Sequence, residues 1–199
     1  MPRPFPKARH SIATWATLLL VAGVFSCSKP SGTAANSTPS AAPDTMPAAQ
    51  ITDGNALAFL MTANSAEIED ARLASTRSHA GAVKAFANMM SVQHQQVKGQ
   101  IAATADSAQI TPQDDAVSRA LATASDSARE SIRGLSGPAF DRAYMDHAIE
   151  AHQSLLDALD QRLIPGAGAA QVKQLLTSIR PAVASHLVEA KRVRATLGD

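Results

Sequence analysis

Hydrophobic residues recur every three or four positions over most of the chain beyond residue 51, which is the spacing of amphipathic helices. Four long segments show this pattern, at about 55–77, 78–105, 138–163 and 170–197. Thr52 or Asp53 is expected to cap the first helix and Ser78 the second, while Pro138 suits the first turn of the third. The pattern therefore predicts two hairpins of long helices.

The segment from Asp106 to Gly137 has a weaker pattern, with many Ser, Ala and charged residues between a few apolar ones. We expect one or two short helices here, forming a long connection between the second and third long helices. Two hairpins joined in this way form an all-α, four-helix bundle with a crossover connection.

The N-terminus has the features of an export signal. Arg3, Lys7 and Arg9 precede an apolar stretch at 12–25, which is shorter than the roughly 20 residues that cross a bilayer. Residues 1–26 are therefore predicted to be a signal peptide.

The apolar stretch ends in Val24-Phe25-Ser26-Cys27, which resembles a lipobox in which Cys27 receives diacylglycerol and then a third acyl chain such as palmitate. Ser28 follows, where lipoproteins retained in the inner membrane typically carry Asp. We therefore expect a lipid anchor in the outer membrane, facing the periplasm. The alternative is an ordinary signal peptide with an incidental cysteine.

Residues 28–50 are dominated by Ala, Ser, Thr, Pro and Gly and show no apolar period, so they are predicted to be a disordered tether. The expected organisation is a signal peptide at 1–26, a lipidated cysteine and tether at 27–50, and a helical bundle domain at 51–199.

Composition narrows the function classes. Without residues 1–26 and their three basic side chains, 15 Lys and Arg face 17 Asp and Glu, so no basic surface for nucleic acid is expected. Cys27 is the single cysteine, which excludes an internal disulfide. No GxSxG, HExxH, P-loop or dinucleotide motif is present, which favours a protein that is not an enzyme.

Each long helix carries one potential metal ligand within its apolar face: Glu67, His94, His152 and His186. Imidazole and carboxylate ligands suit one ion of zinc, iron, copper or manganese. The alternative is a polar network in which the same groups satisfy one another by hydrogen bonds. Counting residues from each turn places the partners in a hairpin roughly 8 Å apart in height, so the count alone does not bring them together.

Several phrases spread in order over residues 53–197 resemble the ferritin-like domain-of-unknown-function family 4142. The matching phrases are Ala66-Glu67-Ile68-Glu69, Val83-Lys84-Ala85-Phe86-Ala87, Phe140-Asp141-Arg142-Ala143-Tyr144, Ala151-His152-Gln153 and Ser185-His186-Leu187. The resemblance implies a lipoprotein of the envelope with a crossover bundle. It also implies recurring polar positions at Glu67, His94, Asp141, Tyr144, His152 and His186, but no established activity.

Ferritin-like di-iron proteins use Glu-x-x-His pairs, and this chain has none. A single-metal site is therefore the furthest that the sequence supports. Asp141 and Tyr144 are expected to have a local role instead, Asp141 in the first turn of the third helix and Tyr144 as a packing anchor.

Two functions remain open from the sequence. The first is a membrane-anchored bundle that binds a metal ion or senses envelope conditions through its histidines. The second is a structural or interaction module whose polar cluster only fixes the fold, with a protein partner that the sequence does not identify.

Overall fold

The computed structural model describes residues 51–198, which form helices and no strand. The long helices are α1 (Asp53–Arg77), α2 (Gly81–Ala108), α3 (Ala116–Arg133), α4 (Gly137–Ala158) and α6 (Ala170–Ala195). A π-helical turn, Leu159–Leu163, and a short helix α5, Ile164–Gly166, follow α4 directly. The predicted all-helical bundle is confirmed. The predicted signal peptide, lipidation site and tether lie outside the described residues.

The helices pack in the predicted order of hairpins. α1 lies along α2, α4 lies along α6, and α2 also lies along α6. The crossover connection contains one helix, α3, which packs mainly on α1 and more lightly on α4. α3 is therefore a fifth helix on the outside of a four-helix bundle.

The starts of α1 and α2 test the predicted capping residues. Thr52 caps α1 by accepting a hydrogen bond from the backbone N–H of Asn55 at 3.1 Å. The prediction that Ser78 caps α2 is wrong, because α2 begins at Gly81. Ser78 instead ends α1, and its hydroxyl accepts from the backbone N–H of Ala80 at 3.1 Å.

The apolar core consists of two clusters of buried side chains. One is centred on Leu57, Leu60, Ile101, Leu159 and Leu176, and the other on Val83, Phe86, Phe140, Tyr144 and Val193. His94 and His152 each fall in sequence between residues of the two clusters, and His186 lies near the end of the first cluster on α6, between Val183 and Leu187. The three histidines therefore form a polar layer where the two apolar regions meet.

None of the helices between residues 51 and 198 is long and apolar enough to span a membrane.

Candidate metal centre

Three helices bring three buried histidines together at the middle of the bundle. His94 on α2, His152 on α4 and His186 on α6 are all less than a tenth exposed. Their ring centroids are 5.3–5.7 Å apart, and one ring nitrogen from each lies within 4.8 Å of the others. We call these three residues the histidine cluster.

The offset in height that residue counting gave is wrong. Counting assumed that each helix starts at its predicted turn, but α2 begins three residues after Ser78, and α4 continues through the π-helical turn before the chain reverses. The rings of His152 and His186, which residue counting placed at different heights in their hairpin, therefore lie 5.3 Å apart.

Each imidazole uses its outer nitrogen to donate a hydrogen bond to a carbonyl oxygen. Nδ1–H of His94 donates to the Asn64 side-chain oxygen at 2.8 Å, and Nδ1–H of His152 donates to the backbone oxygen of Ala148 at 2.8 Å. Nε2–H of His186 donates to the side-chain oxygen of Gln93. Because a carbonyl oxygen only accepts, these bonds place the proton of each neutral ring on its outer nitrogen.

The orientation of Asn64 is fixed by a second bond. Its amide NH₂ donates to the backbone oxygen of Leu60 at 2.7 Å, so the amide oxygen faces His94. Asn64 is itself buried on α1. Helix α1, which carries none of the three histidines, thus contributes a residue that orients His94.

The inner nitrogens have no such partner. Nε2 of His94, Nε2 of His152 and Nδ1 of His186 are buried and have no hydrogen-bond partner among the described residues. In the neutral rings these nitrogens carry lone pairs and no proton. A buried acceptor without a donor is costly, and a cation that accepts lone pairs would relieve that cost for all three nitrogens at once.

Burial also keeps the rings of His94 and His186 uncharged. It lowers the pKa of His94 to about 3, with further lowering by the neighbouring His152 and His186. Burial likewise lowers the pKa of His186 to about 4, helped by His152. At neutral pH both rings are therefore in the form that ligates metals.

The geometry suits a small transition-metal ion. Metal–imidazole bonds of about 2.0–2.1 Å require ligand nitrogens somewhat closer than 4.8 Å, so side-chain movements of less than about an ångström close the site. Three protein ligands leave one or more positions open for water or another ligand.

The predicted fourth ligand, Glu67, does not belong to this set. Its Oε1 lies 3.6 Å from Nδ1 of His152, which is the outer nitrogen of that ring. Burial raises the pKa of Glu67, while the smaller effects of His152 and His147 lower it and that of Asp70 raises it. Glu67 therefore lies behind His152, outside the group formed by the three histidines.

A second polar group, which the sequence analysis missed, lies beside Glu67. Asp70 is buried on α1 and accepts from Nε of Arg129 at 2.6 Å and from Nε2–H of His147 at 3.0 Å. Arg129 comes from α3, so this ion pair attaches the crossover helix to the bundle. The available signal was the position of Asp70, three residues after Glu67 on the same helical face.

Asp141 and Tyr144 lie apart from the histidine cluster. The placement of Asp141 in the first turn of α4 is wrong, because the helix begins at Gly137 and Asp141 is buried further along it, with Oδ1 unpaired among the described residues. Tyr144 is fully buried, and its ring packs against Phe86 and Phe140.

Comparison with known proteins places this arrangement in context. A family model described as "Domain of unknown function (DUF4142)" matches residues 36–193. The crystal structure of a DUF305 protein from Streptomyces coelicolor is similar with a TM-score of 0.59 and 13% sequence identity, covering 74% of this chain and 94% of that one. At this identity the likeness shows a shared fold alone. None of the curated proteins matches the chain.

Proposed function

The chain belongs to the DUF4142 family, whose function is unknown, and from its own residues we propose that it binds one transition-metal ion through His94, His152 and His186. One observation carries the proposal: three buried imidazoles direct unpaired nitrogens at one another while their outer nitrogens are held by hydrogen bonds. Such outer bonds orient metal-ligating histidines in proteins of known function.

The ligand set favours particular metals. Three imidazoles without a carboxylate or thiolate suit copper and zinc better than manganese, and they do not suit magnesium or calcium, which take oxygen ligands. Affinity for such a site is expected to follow the order copper, zinc, manganese.

We also propose that the domain works at the cell envelope, attached by a lipid on Cys27. The support is the sequence alone, in which the single cysteine directly follows an apolar stretch. A tether of some 20 residues would let a metal-binding domain stand away from the outer-membrane surface.

The test is metal binding by the purified protein, measured by calorimetry with Cu²⁺, Zn²⁺ and Mn²⁺ and by elemental analysis. We expect one Cu²⁺ or Zn²⁺ per chain and weak binding of Mn²⁺. His94→Gln should abolish stoichiometric binding, because it removes a ligand. Asn64→Leu should weaken binding roughly 10- to 100-fold, because it removes only the group that orients His94.

The matched control is His79→Gln, which replaces an exposed histidine outside the cluster and should bind metal like the wild type. Binding that persists in His94→Gln, or that His79→Gln removes equally, would refute the site. A well-folded wild type that takes up no metal would leave the cluster with a structural role.

A further inference from the structure

α1, α3 and α4 enclose a cavity of about 220 Å³ on the side of the bundle, which we call the side cavity. Most of its wall is apolar, formed by Phe59, Leu121, Leu155 and several alanines. Four ionisable side chains also line it: Glu67, Asp70, His147 and Glu150. The side cavity is therefore an apolar pocket with a charged wall.

Two of the four ionisable groups, Asp70 and His147, pair with each other, and Asp70 also pairs with Arg129 on α3. Asp70 pairs with Arg129 at 2.6 Å and with His147 at 3.0 Å. The hydrogen bond that His147 donates to Asp70 is the largest effect that raises the pKa of His147, so this ring takes up a proton more readily than a free imidazole. Glu67 and Glu150 have no Lys or Arg partner among the described residues, and the only basic groups near them are the imidazoles of His147 and His152.

Glu67 differs from Glu150 in its depth. Glu150 is exposed, whereas Glu67 is 8% exposed and makes no hydrogen bond to any described residue. Its neighbour at 3.6 Å, Nδ1 of His152, already donates to Ala148. A largely buried carboxylate that accepts no hydrogen bond from the protein is costly, and a cation bound in the cavity would relieve that cost.

We propose that the side cavity binds a small organic cation, a primary ammonium group on a short aliphatic chain, with the ammonium at Glu67 and the chain against Phe59, Leu121 and Leu155. An ammonium group offers three donors to the carboxylate. The apolar wall gives the aliphatic chain a place away from water.

The size and the lining both favour an organic cation over a metal ion in this cavity. Pockets for drug-sized ligands are roughly 300–1,000 Å³, so the side cavity takes a smaller molecule. The carboxylates that line it do not converge into a metal-binding group among residues 51–198, where only the histidine cluster does so.

The proposal is independent of metal binding by the histidine cluster. The side cavity contacts the rear of His152 through Glu67, whereas the inner nitrogens of the cluster face the bundle centre and are not part of the cavity wall. His94→Gln should therefore remove metal binding and leave binding in the side cavity.

The test is a titration of the metal-free protein with pentylamine, 1-pentanol and pentanoate, followed by amide chemical shifts in NMR. We expect pentylamine to bind at least tenfold more tightly than the neutral and anionic molecules, with shifts at Ala63, Ser125 and Ala151. Glu67→Gln should remove this preference, and the exposed Glu130→Gln should keep it.

Ala124→Leu places a larger side chain in the cavity wall on α3, so it should weaken pentylamine binding at least tenfold while metal binding stays unchanged. Metal binding also shows that each variant is folded. Equal affinity for pentylamine and 1-pentanol, an unchanged preference in Glu67→Gln, or no binding at all would overturn the proposal.

Discussion

A histidine serves as a metal ligand only if its free nitrogen carries the lone pair, and here three different acceptors decide which nitrogen that is. A side-chain amide on α1, a side-chain amide on α2 and a backbone carbonyl on α4 each hold one outer N–H. Because one of these acceptors is the backbone of α4 itself, substitution of other side chains does not remove it. Among the three rings, the orientation of His152 is thus the least sensitive to substitution of neighbouring side chains.

The depressed pKa of His94 predicts how the metal-free protein responds to acid. The unfolded chain takes up this proton near pH 6.5, while the folded protein does so only near pH 3. Stability is therefore full above pH 6.5 and is lost as pH falls below it, by about 2.5 kcal/mol between pH 7 and pH 4.5 from this residue. Urea unfolding at pH 7 and 4.5 should show a smaller loss in His94→Gln than in the wild type.

The test compares the loss of stability in acid between the wild type and His94→Gln, because other groups make the protein more stable as the pH falls. His147 has a raised pKa, so its contribution is present below pH 6.5 and disappears as pH rises. Glu67, near His152, also has a raised pKa and is easier to bury when protonated. His79→Gln should lose stability in parallel with the wild type; a parallel loss in His94→Gln would contradict a depressed pKa.

The sequence predicted the three histidines because each interrupts an apolar stripe at helical spacing. It did not predict Gln93, Asp70 or Arg129. Gln93 is next to His94 on a half-buried flank, and Arg129 lies on the weakly patterned α3, so periodicity gave no reason to pair them with distant residues. A hydrogen-bond partner on another helix depends on how the two helices face each other, and the apolar periodicity of one helix does not contain that information.

At the scale of helices, α3 differs from the other long ones in how it is attached. Its buried residues are Ser118, Arg129 and Ile132, so it contributes little to the apolar core. Arg129 binds Asp70, contacts Glu69 at 3.2 Å and reaches the backbone oxygen of Ala66 at 3.4 Å. A buried charged side chain, more than apolar packing, holds this helix on α1.

Arg129→Met should therefore destabilise the protein by about 3–5 kcal/mol, because Asp70 would remain buried with His147 as its main partner. Denaturant unfolding gives the free energy, and hydrogen exchange should show the largest loss of protection in α3. The double variant Arg129→Met, Asp70→Leu should recover much of the loss.

Arg133→Met is the matched control on the same helix. Arg133 forms an exposed pair with Glu130 at 3.4 Å, so its replacement should change stability by less than about 1 kcal/mol. An Arg129 variant as stable as this control would show that the ion pair does not hold α3.

The number and order of the long bundle helices could be predicted from the periodicity of the sequence, because each of these helices buries one apolar face. The start of α2 and the end of α4 did not, since Ser78 also satisfies the turn after α1 and the chain continues from α4 through a π-helical turn. Those two details set the relative heights of the histidines. The sequence therefore predicted which histidines face the interior, but it did not predict the distances between them.

At the scale of the whole molecule, the sequence predicts a lipid-anchored protein whose domain is held at a surface. In a bacterial host, wild-type protein should incorporate a palmitate label and fractionate with the outer membrane. Cys27→Ser should lose the label, because the acceptor thiol is gone, as judged by labelling and mass spectrometry.

Ser28→Asp should keep the label and move the protein to the inner-membrane fraction, according to the rule for the residue after the lipidated cysteine. A wild-type protein that is cleaved, unlabelled and released from the membrane would instead indicate an ordinary signal peptide.

The polar layer between the two apolar clusters also fixes the register of the helices. Apolar faces alone tolerate sliding, since a shift of one turn, about 5.4 Å, brings a similar stripe of leucines and alanines into contact. In this bundle such a slip would carry an imidazole into hydrocarbon surroundings and set leucine against the remaining histidines. The histidines thus select one vertical arrangement of the helices, and in that arrangement the three imidazoles are adjacent without a metal ion.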